Sequence, residues 1–185
     1  MHWNSTSLAG VMLLEPKRYG DDRGWFCETW NHQTLKEANL EIDFLQDNHS
    51  YSAEVGTLRG LHFQAPPRAQ DKLVRCTRGA VFDVAVDIRE GSPAYGKWVG
   101  LELTQGNGKQ LFVPKGFLHG FVTLEPHTEI QYKCSDYYAP ECDGSVLWSS
   151  LDIQWPLNAD PVLSDKDAAA ISFQEFNSPF TFGEN

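Results

Sequence analysis

A mainly β fold is predicted, a sandwich or barrel of short strands with a few short helices, and two observations predict it. The middle of the chain alternates with period two. Phe82, Val84, Val86 and Ile88 interleave with Asp83, Ala85, Asp87 and Arg89, and Val99, Leu101 and Leu103 interleave with Gly100, Glu102 and Thr104. Turn signals then separate such runs at short intervals: Arg78-Gly79, Gly91-Ser-Pro93 and Gln105-Gly-Asn-Gly108.

The 185 residues suggest one domain over 1–185, large enough for a real core. A formal charge of −10 argues against a nucleic-acid surface. A phosphorylated small molecule remains compatible, because its site needs only a local cluster of cations. The four cysteines, Cys27, Cys76, Cys134 and Cys142, show no CxxC spacing and no paired pattern. That favours reduced thiols in a cytoplasmic protein over a disulfide scaffold or a zinc site. The apolar run Leu8 to Leu14 is too short to span a bilayer and reads as a strand.

Taken in order, Tyr19-Gly-Asp-Asp-Arg-Gly24 is turn chemistry leading into Trp25-Phe-Cys-Glu-Thr-Trp30, which is rich in strand formers. Alternation puts Phe26, Glu28 and Trp30 on one face. An aromatic and a carboxylate just after Arg23 suit a stacked heterocyclic base; an edge strand with a solvated Glu suits the pattern too. Asn31 to Leu40 is a helix candidate with a weak apolar side of Leu35, Ala38 and Leu40. Gln46-Asp-Asn-His-Ser50 is polar, either a cap over a pocket or a plain loop.

Thr57-Leu-Arg-Gly-Leu-His-Phe-Gln64 follows, with Lys72 close behind. His62 reads as a proton-abstracting base, Arg59 as an anion holder and Lys72 as the stabiliser of an oxyanion. The competing reading is a buried, hydrogen-bonded His beside two surface cations. Strict alternation separates Arg59 and His62 onto opposite faces. Gly60 between them marks a possible bulge, which would bring both to one side.

Glu129-Ile-Gln-Tyr-Lys-Cys134 reads as a strand with Ile130, Tyr132 and Cys134 facing inward. Tyr132 there is structural or catalytic. Tyr137 to Asp143 forms an aromatic, acidic corner. Ser164 with Asp167 three residues on reads as a capping box for a short helix, and a carboxylate so ordered can also orient a His.

Pro114, Gly116 and His119 form a P-x-G-x-x-H ending that resembles the second motif of the cupin superfamily, a double-sheet jelly roll (double-stranded β-helix). The first-motif region offers His62 alone, with no H-x-H and no Glu before Glu90, which argues for metal-free chemistry.

The pieces together resemble the dTDP-4-dehydrorhamnose 3,5-epimerase family. They run from Asp22-Arg-Gly24 with Phe26 and Glu28, through Gln46-Asp-Asn48, Arg59-Gly-Leu-His62, Lys72, Pro114-Lys-Gly-Phe117 with His119, Tyr132-Lys133 and Asp136-Tyr-Tyr138, to Leu163-Ser-Asp-Lys-Asp167. The resemblance implies epimerisation at C3, C5 or both of a dTDP-4-keto-6-deoxyhexose, with no cofactor and no metal. It implies His62 as general base oriented by Asp167, Tyr132 as general acid on the opposite face of the sugar, and Lys72 at the enolate oxygen. Arg23, Arg59 and Lys166 would lie near the diphosphate or nucleotide. Phe26, Glu28, Gln46, Asn48 and Tyr138 would shape the thymidine site, and His119 would contact the ligand. It also implies a homodimer in which segment 23–28 completes the partner's pocket.

The chain departs from the family at two places expected beside the substrate. Asp143, at a substrate-binding position, stands where the family carries Glu. Val146-Leu-Trp-Ser-Ser-Leu151 replaces the usual Ile-Arg-Trp-Asn/Asp-Asp-Pro. The rival readings are an epimerase of one carbon only, a nucleotide-sugar 3,4-ketoisomerase, a metal-dependent cupin oxygenase and a non-catalytic cupin that only binds a sugar or nucleotide.

Overall fold

The computed structural model describes residues 2–38 and 40–183. Its strands are β1 (His2–Ser5), β2 (Met12–Glu15), β3 (Arg18–Asp21), β4 (Gly24–Cys27), β5 (Gln46–Ser52), β6 (Leu58–Gln64), β7 (Lys72–Arg78), β8 (Ala80–Asp87), β9 (Trp98–Thr104), β10 (Gln110–Val113), β11 (Phe117–Thr123), β12 (Thr128–Cys134) and β13 (Asp143–Ser145). Two short helices are α1 (His32–Glu37) and α2 (Asp165–Ala168). One sheet has six strands in the order β1-β2-β10-β7-β12-β5, and a second has five in the order β13-β6-β11-β8-β9. Every pairing within them is antiparallel. This is the double-sheet arrangement expected from the alternation, and it is cupin-like, as the resemblance of the P-x-G-x-x-H ending implies.

The core lies in layers. Val74, Leu111 and Ile130 of the first sheet meet Val81, Ala85, Leu103, Phe117 and Phe121 of the second. The outer side of the second sheet, with Leu61, Val84, Val86 and Leu118, is covered by Val146, Ile153 and Phe176 from the C-terminal part of the chain. Each such Val, Leu, Ile or Phe side chain stabilises the fold by about 1.5–3 kcal/mol relative to exposure. The apolar face of β8 therefore looks outward, at this cover. Asp83, Ala85 and Asp87 look inward, between the sheets, and both carboxylates are buried. Period two located the strand but not which of its faces meets the other sheet.

Three expected elements are shorter than their composition suggests. The strand at Trp25 ends at Cys27, so Glu28 and Trp30 lie beyond it. Trp30 instead packs toward Leu14, Leu73 and Phe112, and Asn31 caps the next helix by accepting from Gln33 N at 2.9 Å. That helix covers His32–Glu37 rather than 31–40; position 39 lies outside the described residues. The Leu8 to Leu14 run yields a strand only from Met12, because Gly10 turns the chain at φ +99°. No helix among the described residues is long and apolar enough to cross a membrane.

Candidate functional site

The site begins with an irregularity in β6. His119 of β11 pairs with His62, but Phe121 pairs with Arg59, so residues 60 and 61 together oppose Gly120 alone. This is the bulge expected at Gly60, and it turns Arg59 and His62 to the same side. Gly60 has φ +123°, and a Cβ there would come within 2.7 Å of Gly120 Cα and 2.8 Å of the His119 carbonyl oxygen. Glycine is required on both counts.

Arg59, His62, Lys72, His119, Tyr132, Lys166 and Asp167 line one cavity of about 210 Å³. Ser50, Phe121 and Ser164 complete its wall. His62 and His119 come from the second sheet, Lys72 and Tyr132 from the first, and Asp167 from α2.

His62 and Asp167 are in direct contact, Nε2 to Oδ1 at 2.5 Å. Ser164 caps α2 by accepting from Asp167 N at 3.1 Å, so the capping role and the His contact coexist. Burial pushes the Asp167 carboxyl up. The hydrogen bond and charge of His62, the Ser164 hydroxyl and the Gly60 backbone N–H outweigh burial and hold it below the usual carboxylate range. An ionised Asp167 accepts a hydrogen bond from His62 Nε2–H, which leaves Nδ1 as the ring nitrogen that Asp167 does not engage.

The Lys72 side chain has neither an ion pair nor a hydrogen bond among the described residues. Burial pushes its ammonium below the usual lysine range; Cys134, Asp143 and Asp83 oppose the shift, and Lys166 reinforces it. Burial pushes the Tyr132 phenol up, reinforced by Cys134 and Asp143 and opposed by Arg59. Burial thus favours the protonated phenol of Tyr132 and the neutral amine of Lys72.

Arg59 is braced by Ser52 Oγ at 3.3 Å and the Tyr51 carbonyl at 3.0 Å, both on β5. On the same strand Gln46 donates to Asn48 at 3.0 Å and accepts from Tyr138 N at 2.9 Å. Asp143 accepts from Tyr138 Oη at 3.1 Å and from Lys166. Gln46, Asn48, Tyr138, Asp143 and Lys166 therefore form one hydrogen-bonded chain that meets the cavity at Lys166, and Asn48 lines a neighbouring pocket together with Tyr132. Arg23 and Phe26 do not reach it within the chain. Arg23 pairs with Asp21, and Phe26 is 69% exposed on the β3–β4 hairpin. Glu28 accepts from Asn31 at 3.2 Å.

Sequence reasoning missed Asp83. It is fully buried and accepts from His119 Nε2 at 3.0 Å, which fixes that ring. The available signal was a carboxylate within the apolar run Ala80–Asp87. Of residues 146–151, expected beside the substrate, none lines the cavity, although Val146 pairs with Leu61 next to His62. Leu147 N donates to the Ile171 carbonyl and Ser150 Oγ accepts from Phe173 N, so the segment serves the outer cover. Among the described residues no group of three or more His, Cys, Asp or Glu has an arrangement that could hold a metal ion.

Comparison with known proteins gives one family. The model described as dTDP-4-dehydrorhamnose 3,5-epimerase matches residues 5–175. A Salmonella typhimurium protein of that name is 52% identical over 168 residues, covering 89% of this chain and 91% of the relative. A Bacillus anthracis enzyme of that name, solved with TDP and PPi bound, superposes with a TM-score of 0.89 at 47% identity and covers 92% of this chain and 98% of its own. A Legionella pneumophila dTDP-6-deoxy-D-glucose-3,5-epimerase, solved with dTDP-4-keto-L-rhamnose, gives 0.91 at 44% identity, covering 95% and 94%.

Proposed function

This chain belongs to the dTDP-4-dehydrorhamnose 3,5-epimerase family, and we propose that it inverts C3 and C5 of a dTDP-4-keto-6-deoxyhexose with the residues of the cavity described above. The ketone at C4 acidifies the hydrogens on both neighbouring carbons. His62 removes one of them, and the electron pair moves into an enolate whose oxygen faces Lys72. Tyr132 returns a proton to the opposite face, which inverts the centre. No redox change occurs, so no cofactor enters the scheme.

Asp167 orients His62 and stabilises the imidazolium that forms. Arg59 and Lys166 hold the diphosphate, His119 contacts the ligand, and Gln46, Asn48, Tyr138 and Asp143 form the nucleotide side. The observation that supports this reading best is the 2.5 Å His62–Asp167 contact in the same cavity as Lys72 and Tyr132.

The reading includes a homodimer. Tyr19, Trp25 and Phe26 are 56%, 58% and 69% exposed on one hairpin, an apolar surface that a partner subunit would cover. Arg23, Phe26 and Glu28 would then complete the partner's nucleotide site. Four free cysteines suit the cytoplasm.

Proton NMR of the 4-keto substrate with the protein in heavy water tests the function. Deuterium at C3 and C5 with inverted products is expected. Absence of exchange would leave a binding protein, and migration of the ketone to C3 would make it a ketoisomerase.

A further inference from the structure

We propose that Phe121 contacts the C6 methyl group of the sugar and makes the site prefer a 6-deoxy over a 6-hydroxy sugar nucleotide; this rests on the epimerase reading above. Among the described residues, every other side chain lining the cavity carries a nitrogen or an oxygen, and Phe121 alone is hydrocarbon. The substrate's hexose has a complementary asymmetry. Its ring carries hydroxyls, a ketone and a diphosphate, and a single hydrocarbon substituent, the methyl group on C5.

Phe121 is a rigid wall. Its ring belongs to the core between the sheets and is 4% exposed. Its backbone is pinned on both sides, in register with Arg59 of β6 and Asp83 of β8. The neighbouring ring, His119, is 6.4 Å away between centroids and is itself tied to Asp83. A methyl group against this wall loses only water. A hydroxyl there loses its hydrogen bonds to water and finds no partner on the ring.

The location also bears on the chemistry. The methyl sits one bond from C5, a carbon that must exchange its hydrogen between His62 and Tyr132. A wall that seats the methyl seats C5 as well, so Phe121 is a specificity-determining residue that also limits how the ring can rotate.

The probes are dTDP-6-deoxyglucose and dTDP-glucose, which differ by one oxygen and carry no ketone to react. Titration calorimetry on the wild-type protein should find the 6-deoxy compound bound about tenfold to a hundredfold more tightly, the range within which an apolar pocket rejects an added hydroxyl. Phe121→Tyr supplies a hydroxyl partner and Phe121→Ala admits water; either should bring the ratio near one. The wild-type ratio needs no variant, so it decides even if both substitutions fail to fold. Equal wild-type affinities would overturn the inference, as would a ratio that persists in a folded variant. A wild-type protein that epimerises the keto sugar yet binds both probes equally would sink this inference and spare the proposed function. Failure to bind dTDP or either probe would end both.

Discussion

Lys72 and Tyr132 face the same cavity and are pushed in opposite directions. Burial lowers the ammonium from its ordinary value of 10.5 and raises the phenol from 10.0. Burial thus moves loss of the cation to lower pH and ionisation of the phenol to higher pH. The account expects kcat to fall on an alkaline limb that belongs to Lys72. Lys72→Arg keeps a charge at all working pH and should erase that limb while retaining part of the rate. Lys72→Ala should lower kcat by about 10²–10³ without abolishing dTDP binding. An unchanged limb in the Arg variant would assign it to another group. Asp167 acts at the other end of the scale. Its folded pKa lies below the unfolded 3.8, so its contribution to stability is complete above that value and is lost as pH falls through the lower folded one.

At the scale of elements, the β6 bulge carries the candidate site and the β3–β4 hairpin carries the proposed partner contact. Gly60→Ala places a methyl in a left-handed conformation against the β11 backbone. Denaturant unfolding should show a loss of about 2–4 kcal/mol, the sum of strain and overpacking. Wild-type stability would mean that the bulge tolerates a side chain. On the hairpin, Trp25→Ser with Phe26→Ser should convert a dimer to a monomer in sedimentation and lower dTDP affinity, with the fold retained. Monomeric wild-type protein would remove the hairpin from the partner's site. The bulge was legible because a glycine separated two residues that chemistry wanted together. The hairpin's length was not, because Trp30 leaves the strand for a cluster formed by Leu14, Leu73 and Phe112, which are distant in sequence.

At the scale of the molecule, the two sheets put the proposed base and acid on facing walls. His62 stands on β6 of one sheet and Tyr132 on β12 of the other. The strands, the inward Tyr132 and the helix cap at Ser164 could be read from local pattern, because each depends on neighbours in sequence. The Asp83–His119 contact could not, since it depends on β8 turning its charged face inward under an outer layer supplied by Val146, Ile153 and Phe176. The facing arrangement is tested most directly by proton NMR in heavy water on His62→Ala and Tyr132→Phe with the 4-keto sugar. The account predicts that the Ala variant neither exchanges nor inverts. The Phe variant should still exchange at least one hydrogen beside the ketone, while inversion falls by about 10²–10⁴, the usual worth of a general acid. Exchange in the Ala variant, or inversion at the wild-type rate in the Phe variant, would contradict it.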